Sequence, residues 1–240
     1  MSDFSQRTLL LLGETGVRKL AAAHVLIAGL GAVGSFAAEA CARAGVGQLT
    51  LADFDVVSES NINRQLFALH STVGQKKTGL ALARIKDINP ACRVIVREEF
   101  IDPQNISGLL ASGPDVVLDA IDTFNSKLAL ISHCAANGIT QFSSMGAARK
   151  SDVTRIKVSA IQNATHCPLA RKLRITLKKN GVTAPVQCVW SDEEPANCAA
   201  APEETRDGTP RRTFGSLCAV TGIFGLTLAG LAIKHIVAKE

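Results

Sequence analysis

Carboxylate, amide and guanidinium side chains that could bind a nucleotide are concentrated in the stretch DFDVVSESNINRQ, residues 53–65. They are Asp53, Asp55, Asn61, Asn63, Arg64 and Gln65. Carboxylates accept hydrogen bonds from sugar hydroxyls, whereas amide and guanidinium groups donate to phosphate oxygens. This set therefore indicates a ligand that contains both a sugar and phosphate.

A glycine-rich turn lies shortly before this stretch. GLGAVGS, residues 29–35, fits the G-x-G-x-x-G pattern between the predicted strand HVLIAG and the predicted helix SFAAEACARAG. Gly29 permits the tight turn, Gly31 lets the backbone approach a phosphate, and Gly34 lets the helix pack on the strand. Asp53 follows at the end of the second predicted strand, where its carboxylate can bind a ribose. The pattern indicates a ribonucleotide, and on this pattern alone NAD would be the first choice.

Three further donors favour a triphosphate over NAD. Asn61, Arg64 and Lys77 follow the second strand, and two of them carry a positive charge. Such groups suit a phosphate chain whose charge grows during displacement. Asp122 ends the predicted strand DVVLDAID at the carboxyl edge of the sheet, where a carboxylate beside phosphates is a natural magnesium ligand.

Each of these residues also has a purely structural interpretation. Asp55 could cap a turn, and Asn61 and Asn63 could cap a loop. Lys77 could lie on a solvated helix face. The sequence leaves these alternatives open for each residue taken singly.

Strands and helices alternate along the first part of the chain. Short β-branched runs at 24–29, 48–55, 93–99 and 115–122 are separated by helical stretches, which predicts a doubly wound, mostly parallel sheet of Rossmann type in an α/β fold. We assign residues 1–145 to the nucleotide-binding part. Residues 146–240 would complete the same domain with further strands and a long apolar helix, and residues 192–212 form a predicted mobile loop.

Composition restricts the class of protein. The chain has 240 residues, 47% hydrophobic and 20% charged, with a formal net charge of +5, so it is globular and mildly basic. The seven cysteines form no C-x-x-C pair, which argues against disulfides and against zinc and favours a reducing cytoplasm. The N-terminus makes a poor signal peptide. Residues 215–233 carry no charge and approach the length of a membrane span, but their small residues favour a buried helix in the core or a subunit interface.

The nucleotide motifs together resemble a known superfamily. GLGAVGS, DFDVVSESNINRQ, VGQKK and LDAID are similar, in order and spacing, to the ubiquitin-activating-enzyme-like proteins, which include the molybdopterin and thiamine adenylyltransferases. That resemblance implies ATP–Mg²⁺ binding and activation of a carboxylate. It implies that Asp53 holds the ribose, that Asn61, Arg64 and Lys77 hold phosphates, and that Asp122 acts through magnesium. Arg7 matches an arginine that family homodimers lend to the neighbouring subunit's phosphates.

Beyond residue 140 the chain resembles one branch of that superfamily, the tRNA threonylcarbamoyladenosine dehydratases. The segments that carry this resemblance are SSMGAARKSDVTRIKV, CPLARKLRITLKKNG, VQCVWSDEEP and FGSLCAVTGIFGLTLAGLAI. Two positions depart from the branch: Arg149 stands where glycine is common, and Cys167 stands where aspartate is common. The resemblance implies cyclisation of threonylcarbamoyladenosine beside the anticodon of tRNA, driven by ATP.

Other residues beyond 145 have candidate roles. The basic run RKLRITLKK is the predicted tRNA contact, through Arg171, Lys172, Arg174, Lys178 and Lys179. Cys188 could form a thioester or persulfide, as in related activating enzymes, and Trp190 could stack on a base. For both of them, core packing is the simpler interpretation.

Two other functions stay open at this stage. One is activation of a ubiquitin-like sulfur-carrier protein at its C-terminus, although the zinc cysteines typical of that branch are missing. The other is an NAD-dependent oxidoreductase. The residues also leave open whether the carboxylate is adenylated or phosphorylated, whether a monovalent cation binds, and whether a sulfur-transfer system is a partner.

Overall fold

Seven α-helices, five short 3-10 helices and nine strands occur in the part of the chain that the structure describes. The computed structural model describes residues 3–198, 201–204 and 210–239. The helices are α1 (Gln6–Ala22), α2 (Gly34–Ala44), α3 (Lys77–Ile88), α4 (Ile106–Leu110), α5 (Phe124–Ala136), α6 (Pro168–Lys179) and α7 (Cys218–Ala238). The strands are β1 (His24–Ala28), β2 (Gln48–Ala52), β3 (Arg93–Arg97), β4 (Val116–Asp119), β5 (Gln141–Ser144), β6 (Ile156–Ala160), β7 (Gln187–Ser191), β8 (Ala201–Glu204) and β9 (Pro210–Thr213).

The first seven strands form one sheet in the order β3-β2-β1-β4-β5-β7-β6. All neighbours in it are parallel except β6 and β7, which are antiparallel. The chain winds outward from β1 to β3 and then restarts at β4 on the other side of β1, so the order reverses between β1 and β4. The predicted doubly wound, mostly parallel α/β fold is confirmed, and ligands bind at such reversals in folds of this kind.

Helix α7 packs closely on α2 as part of the core. A Cβ at Gly225 would lie 2.2 Å from the backbone oxygen of Val33, so only glycine permits this approach. Phe224 and Leu228 of α7 are fully buried in the same cluster as β1 and α2. By length and composition α7 could cross a membrane, but half of its most apolar window is buried against protein. The prediction of a buried core helix is confirmed.

Several predicted boundaries were wrong. Strand β2 ends at Ala52 and β4 ends at Asp119, so Asp53 and Asp122 lie in the loops that follow these strands, not inside them. The N-terminal stretch forms α1, a helix kinked at Gly13, whose φ is 68°. Part of the predicted loop 192–212 is regular, because β8 and β9 pair as an antiparallel hairpin; residues 199–200 and 205–209 lie outside the described residues.

The two departures from the resembling branch have local explanations. Arg149 has a φ of 63°, in the left-handed region that glycine adopts most readily. Cys167 is the N-cap of α6, and its Sγ accepts a hydrogen bond from the backbone amide of Ala170 at 3.4 Å, as an aspartate oxygen would.

Strands from both predicted parts of the chain share the seven-stranded sheet. The division at residues 145 and 146 stays a prediction.

Candidate nucleotide site

The glycine turn connects β1 to α2 at the carboxyl edge of the sheet. Gly29 has a φ of 89°, and a Cβ there would lie 2.9 Å from the backbone oxygen of Ala120. A Cβ at Gly34 would lie 1.8 Å from the backbone oxygen of Gly29. Both glycines are therefore required by the fold itself. Gly31 differs, because a Cβ there would meet only Gln65 Nε2 at 3.8 Å, so the space above it is open to a ligand.

Asp53 ties the second strand to the glycine turn. Its two carboxylate oxygens accept the backbone amides of Leu30 at 2.6 Å and Asp55 at 2.8 Å. Burial raises the pKa of Asp53, while the Lys77 charge and the two amide hydrogen bonds act in the opposite direction. Each carboxylate oxygen can accept more than one hydrogen bond, so Asp53 can still bind ribose hydroxyls while it holds the turn.

Lys77 is the first residue of α3, and its side chain is buried. Its Nζ lies 2.9 Å from Asp55 Oδ2, and its backbone amide donates to the Asp55 oxygen at 3.1 Å. The alternative of a solvated helix face is therefore wrong: only 4% of Lys77 is exposed. A buried ammonium with a single carboxylate partner can donate further hydrogen bonds to a phosphate.

Asn61 and Arg64 belong to a short segment that lies over the glycine turn. The Asn61 side chain caps this segment, since its Oδ1 accepts the Ser58 amide at 3.3 Å. Arg64 Nη1 donates to the Ser60 oxygen at 2.7 Å and to Asn63 Oδ1 at 2.8 Å. These bonds fix the guanidinium, and among the described residues its Nη2 and Nε have no partner.

The segment is anchored to the rest of the molecule at two points. The Leu66 amide donates to Ser35 Oγ on α2 at 3.2 Å. Asn63 Nδ2 donates to the backbone oxygen of Ser216 at 3.1 Å, just before α7. The capping role predicted as an alternative for Asn61 is observed, and it does not exclude contact with phosphate.

Asp122 lies in the turn between β4 and α5, next to the glycine turn. It is exposed, and Ala120 in the same turn donates its amide to the Ala28 oxygen at 2.9 Å. A magnesium ion that arrives with nucleotide phosphates needs only one or two protein carboxylates. Asp122 fits that requirement, although no group of three or more His, Cys, Asp or Glu suited to a metal occurs among the described residues.

Sequence reasoning missed a buried charged cluster beneath this turn, formed by Asp119, Lys127 and Ser143. Lys127 Nζ lies 2.7 Å from Asp119 Oδ2, which also accepts the Ser143 hydroxyl at 2.6 Å. Asp119 Oδ1 accepts the Ile121 amide at 3.1 Å. Asp119, Lys127 and Ser143 are all fully buried. The cluster joins β4, β5 and α5 and fixes the start of the turn that carries Asp122.

A signal for this cluster was present in the sequence. Asp119 ends the apolar run VVLD, and Lys127 stands directly before the apolar stretch LALI of the next predicted helix. A charge inside a buried strand needs an opposite charge nearby.

Other predicted residues lie away from this cluster. Arg7 is exposed on α1, and no partner for it is found within the described chain. Cys188 is buried on β7, and burial raises the pKa of its thiol to about 12, so the core interpretation holds. Trp190 is 5% exposed and donates Nε1 to Ser159 Oγ at 2.9 Å, as a core residue. The tRNA contact through the basic residues of α6 stays a prediction.

Comparison with known proteins agrees with this geometry. Residues 5–240 match the ThiF family. The chain belongs to the ThiF family. A ThiF-family relative from Bacillus subtilis (strain 168), named tRNA threonylcarbamoyladenosine dehydratase, is 44% identical over 189 residues, which cover 79% of this chain and 74% of the relative. The Escherichia coli (strain K12) protein of the same name is 38% identical over 248 residues, which cover 97% of this chain and 92% of the relative.

A solved ThiF-type structure shares the whole fold. The E. coli tRNA N6-threonylcarbamoyladenosine dehydratase, TcdA, in complex with ATP superimposes with a TM-score of 0.89 at 38% identity. The match covers 99% of this chain and 96% of that one. The ThiF-family assignment therefore extends over the C-terminal strands and α7 as well as the glycine turn.

Proposed function

We propose that this chain is an ATP-dependent tRNA threonylcarbamoyladenosine dehydratase. The observation that carries the proposal is the full-length match, at 38% identity and a TM-score of 0.89, to an enzyme of that name solved with ATP. A nucleoside triphosphate requires space for its phosphates and positive charge beside them. The open space above Gly31 and the cations around it provide both. The enzyme is ATP-dependent because a carboxylate has to be activated before it can lose the elements of water.

The site residues have distinct roles in this proposal. Asp53 accepts hydrogen bonds from the ribose, and the amides at the start of α2 face the phosphates. Lys77 and Arg64 neutralise the phosphate chain, and Asn61 holds the segment that carries Arg64. Asp122 would hold magnesium, which when bound offsets the charge that develops on the phosphate oxygens.

The chemistry takes place on one nucleoside. The threonyl carboxylate attacks the α-phosphate of ATP, a new carboxyl–phosphate bond forms, and pyrophosphate leaves. The neighbouring ureido group then attacks the activated carbonyl, loses a proton to solvent, and expels AMP. Because both groups belong to one nucleoside, effective molarity can lower the barrier by ~7–11 kcal/mol without a protein nucleophile. Transfer of the γ-phosphoryl group to the carboxylate, with release of ADP, is compatible with the same site residues.

The proposed assembly is a homodimer. Arg7 is exposed on α1, and Leu10 and Leu11 on the same helix are 78% and 82% exposed. Large apolar side chains with this exposure favour a partner surface. A second copy that covers α1 would bring Arg7 to the neighbouring phosphates.

Action on tRNA implies the cytoplasm as the place of function, and a sulfur-transfer system remains a candidate partner.

Nucleotide release tests the function directly. ATP–Mg²⁺ is incubated with tRNA that carries threonylcarbamoyladenosine, and with the same tRNA transcribed without it. AMP or ADP should appear only with the modified tRNA, and Arg64→Ala should abolish the release. Pyrophosphate exchange that depends on a ubiquitin-like carrier protein, and not on tRNA, would replace this function with sulfur-carrier activation.

A further inference from the structure

An open groove lies along the N-terminal half of α6, outside the nucleotide site. Its volume is about 670 Å³, and residues 164–168 and Pro195 form its other walls. Pockets that bind small ligands have volumes of about 300–1,000 Å³. The groove is therefore large enough for a single nucleotide.

The groove has a cationic rim. Arg171 is exposed, and no hydrogen-bond or ion-pair partner is found for it among the described residues. Arg174 has a different role, because its Nη1 donates to the backbone oxygens of Ile161 and Ala164 at 3.1 and 3.0 Å. Arg174 thus holds the floor of the groove in place, while Arg171 is free to contact a ligand.

The lining between the cations is apolar. Ile175 is 60% exposed, and it lines the groove together with Pro168 and Pro195. An exposed isoleucine would not contribute to a surface that binds only phosphates. An unpaired base is a large, mostly apolar surface, and an exposed apolar side chain beside cations can cover it while the cations bind the phosphate.

One end of the groove is unsuited to a phosphate. His166 lines it, and Glu194 lies beside it, with Oε1 3.7 Å from His166 Nδ1. A carboxylate repels phosphate but accepts a hydrogen bond from the amino group of a base. The charges therefore favour a nucleotide whose phosphate lies near Arg171 and away from Glu194.

The groove also lies close to the nucleotide site. Lys172 lines it, and the same side chain lines a second cavity of about 490 Å³ together with Thr123 and Phe124. The Lys172 ammonium lies 3.9 Å from the centre of the Phe124 ring. Thr123 is next to Asp122 in the chain, so one side chain separates the groove from a cavity at the edge of the active site.

We propose that the α6 groove binds one unpaired nucleotide of the RNA that flanks the modified base. Arg171 contacts its phosphate, and Ile175 packs against its base. This inference rests on the proposed tRNA function and adds to it a defined site for a neighbouring nucleotide. Sequence-specific recognition of RNA usually targets unpaired bases of loops, because such bases can leave the stack and enter a pocket.

The first test compares three variants of α6: Ile175→Ser, Arg171→Ala and Lys179→Ala. Lys179 is exposed on the same helix but does not line the groove, so it is the matched control for charge. The probe is an anticodon stem–loop RNA that carries threonylcarbamoyladenosine, and its affinity is measured across a range of salt concentrations. Loss of the apolar contact at Ile175 should weaken binding about tenfold without a change in salt dependence. Lys179→Ala should weaken it less and reduce the salt slope.

The second test removes the base in place of the side chain. Each loop position that flanks the modified nucleoside is made abasic in turn. One of these positions should lower the affinity of the unaltered protein about tenfold, and the same change should have little further effect on Ile175→Ser.

Two results would overturn the inference. Either Ile175→Ser and Arg171→Ala bind like Lys179→Ala, or every abasic RNA affects the unaltered protein and Ile175→Ser equally. Failure of the unaltered protein to bind any stem–loop, while ATP binds normally, would instead reject the tRNA function itself and this groove with it. ATP affinity, measured for every variant, separates these cases from misfolding.

Discussion

Gly31 and Gly34 belong to one motif but are required for different reasons. At Gly34 the fold leaves no room for a Cβ, whereas at Gly31 the nearest atom is 3.8 Å away. The motif predicted this division of roles from the sequence, and the space around each glycine in the structure agrees with it.

Alanine should therefore affect stability at Gly34 and ATP affinity at Gly31. Gly34→Ala should destabilise the protein by about 1–3 kcal/mol or more, because a backbone oxygen would have to move. Gly31→Ala should keep its stability and lose about tenfold or more in ATP affinity, ~1.4 kcal/mol. Urea denaturation and calorimetry with ATP measure the two quantities. Unchanged ATP affinity in a folded Gly31→Ala protein would contradict a phosphate position above this residue.

The burial of Lys127 is the feature of the site that the sequence analysis missed most clearly. It is fully buried and pairs with Asp119 beneath the turn that carries Asp122. Lys127→Met should cost about 3–5 kcal/mol of stability, because it leaves the Asp119 carboxylate buried without a counter-charge. Urea denaturation of Lys127→Met and of the exposed control Lys178→Met checks this.

A second variant tests the cause of that loss. Asp119→Asn combined with Lys127→Met removes both charges and should recover part of the stability, since the unpaired charge is gone. Equal stability of Lys127→Met and the Lys178→Met control would show that the buried pair contributes nothing.

At the level of elements, Arg149 holds together two segments that are distant in sequence. Its Nε donates to the Ala196 oxygen at 2.6 Å, and its guanidinium lies 5.4 Å from the centre of the Phe214 ring. Its backbone amide donates to Gly215 at 2.8 Å. These contacts offset a left-handed backbone conformation, which costs roughly 1–2 kcal/mol for a residue other than glycine.

Replacing Arg149 should reveal that cost. Arg149→Ala keeps the strained φ and loses the side-chain contacts, whereas Arg149→Gly loses the contacts but relieves the strain. We expect the glycine variant to be more stable than the alanine variant by about 1 kcal/mol in thermal or urea unfolding. A glycine variant less stable than the alanine variant would contradict the strain.

The sequence predicted elements better than their ends. Apolar runs located β1, β2, β4 and the helices between them, because buried parallel strands have a distinctive composition. The composition of these runs could not show that β2 ends before Asp53 or that β4 ends before Asp122. In both places the first loop residues follow the strand directly, with no turn signal between them. Helix α1 and the hairpin of β8 and β9 carried no clear periodic signal. Lys77 was ambiguous because its burial depends on Asp55, 22 residues earlier in the chain.

At the scale of the whole molecule, the proposed homodimer makes a prediction about mixed subunits. Arg7→Ala and Arg64→Ala should each be inactive alone. In a heterodimer, the Arg7→Ala subunit keeps its own Arg64 and receives Arg7 from its partner, so one complete site forms. An equimolar mixture that has exchanged subunits should regain about a quarter of the normal activity, since half of the dimers are mixed and each has one working site.

The control for this mixture is a demonstration that heterodimers form, for example by co-purification of two differently tagged variants. Full inactivity of proven heterodimers would place Arg7 in its own subunit's site.

Mass spectrometry of tRNA nucleosides tests the central claim most directly. tRNA that carries threonylcarbamoyladenosine is incubated with the protein and ATP–Mg²⁺, digested, and compared with a reaction that contains Arg64→Ala. The account predicts that the modified nucleoside is converted to a product lighter by one water, and that the variant leaves it unchanged. Recovery of threonylcarbamoyladenosine intact after incubation with the folded, ATP-binding protein would contradict the account.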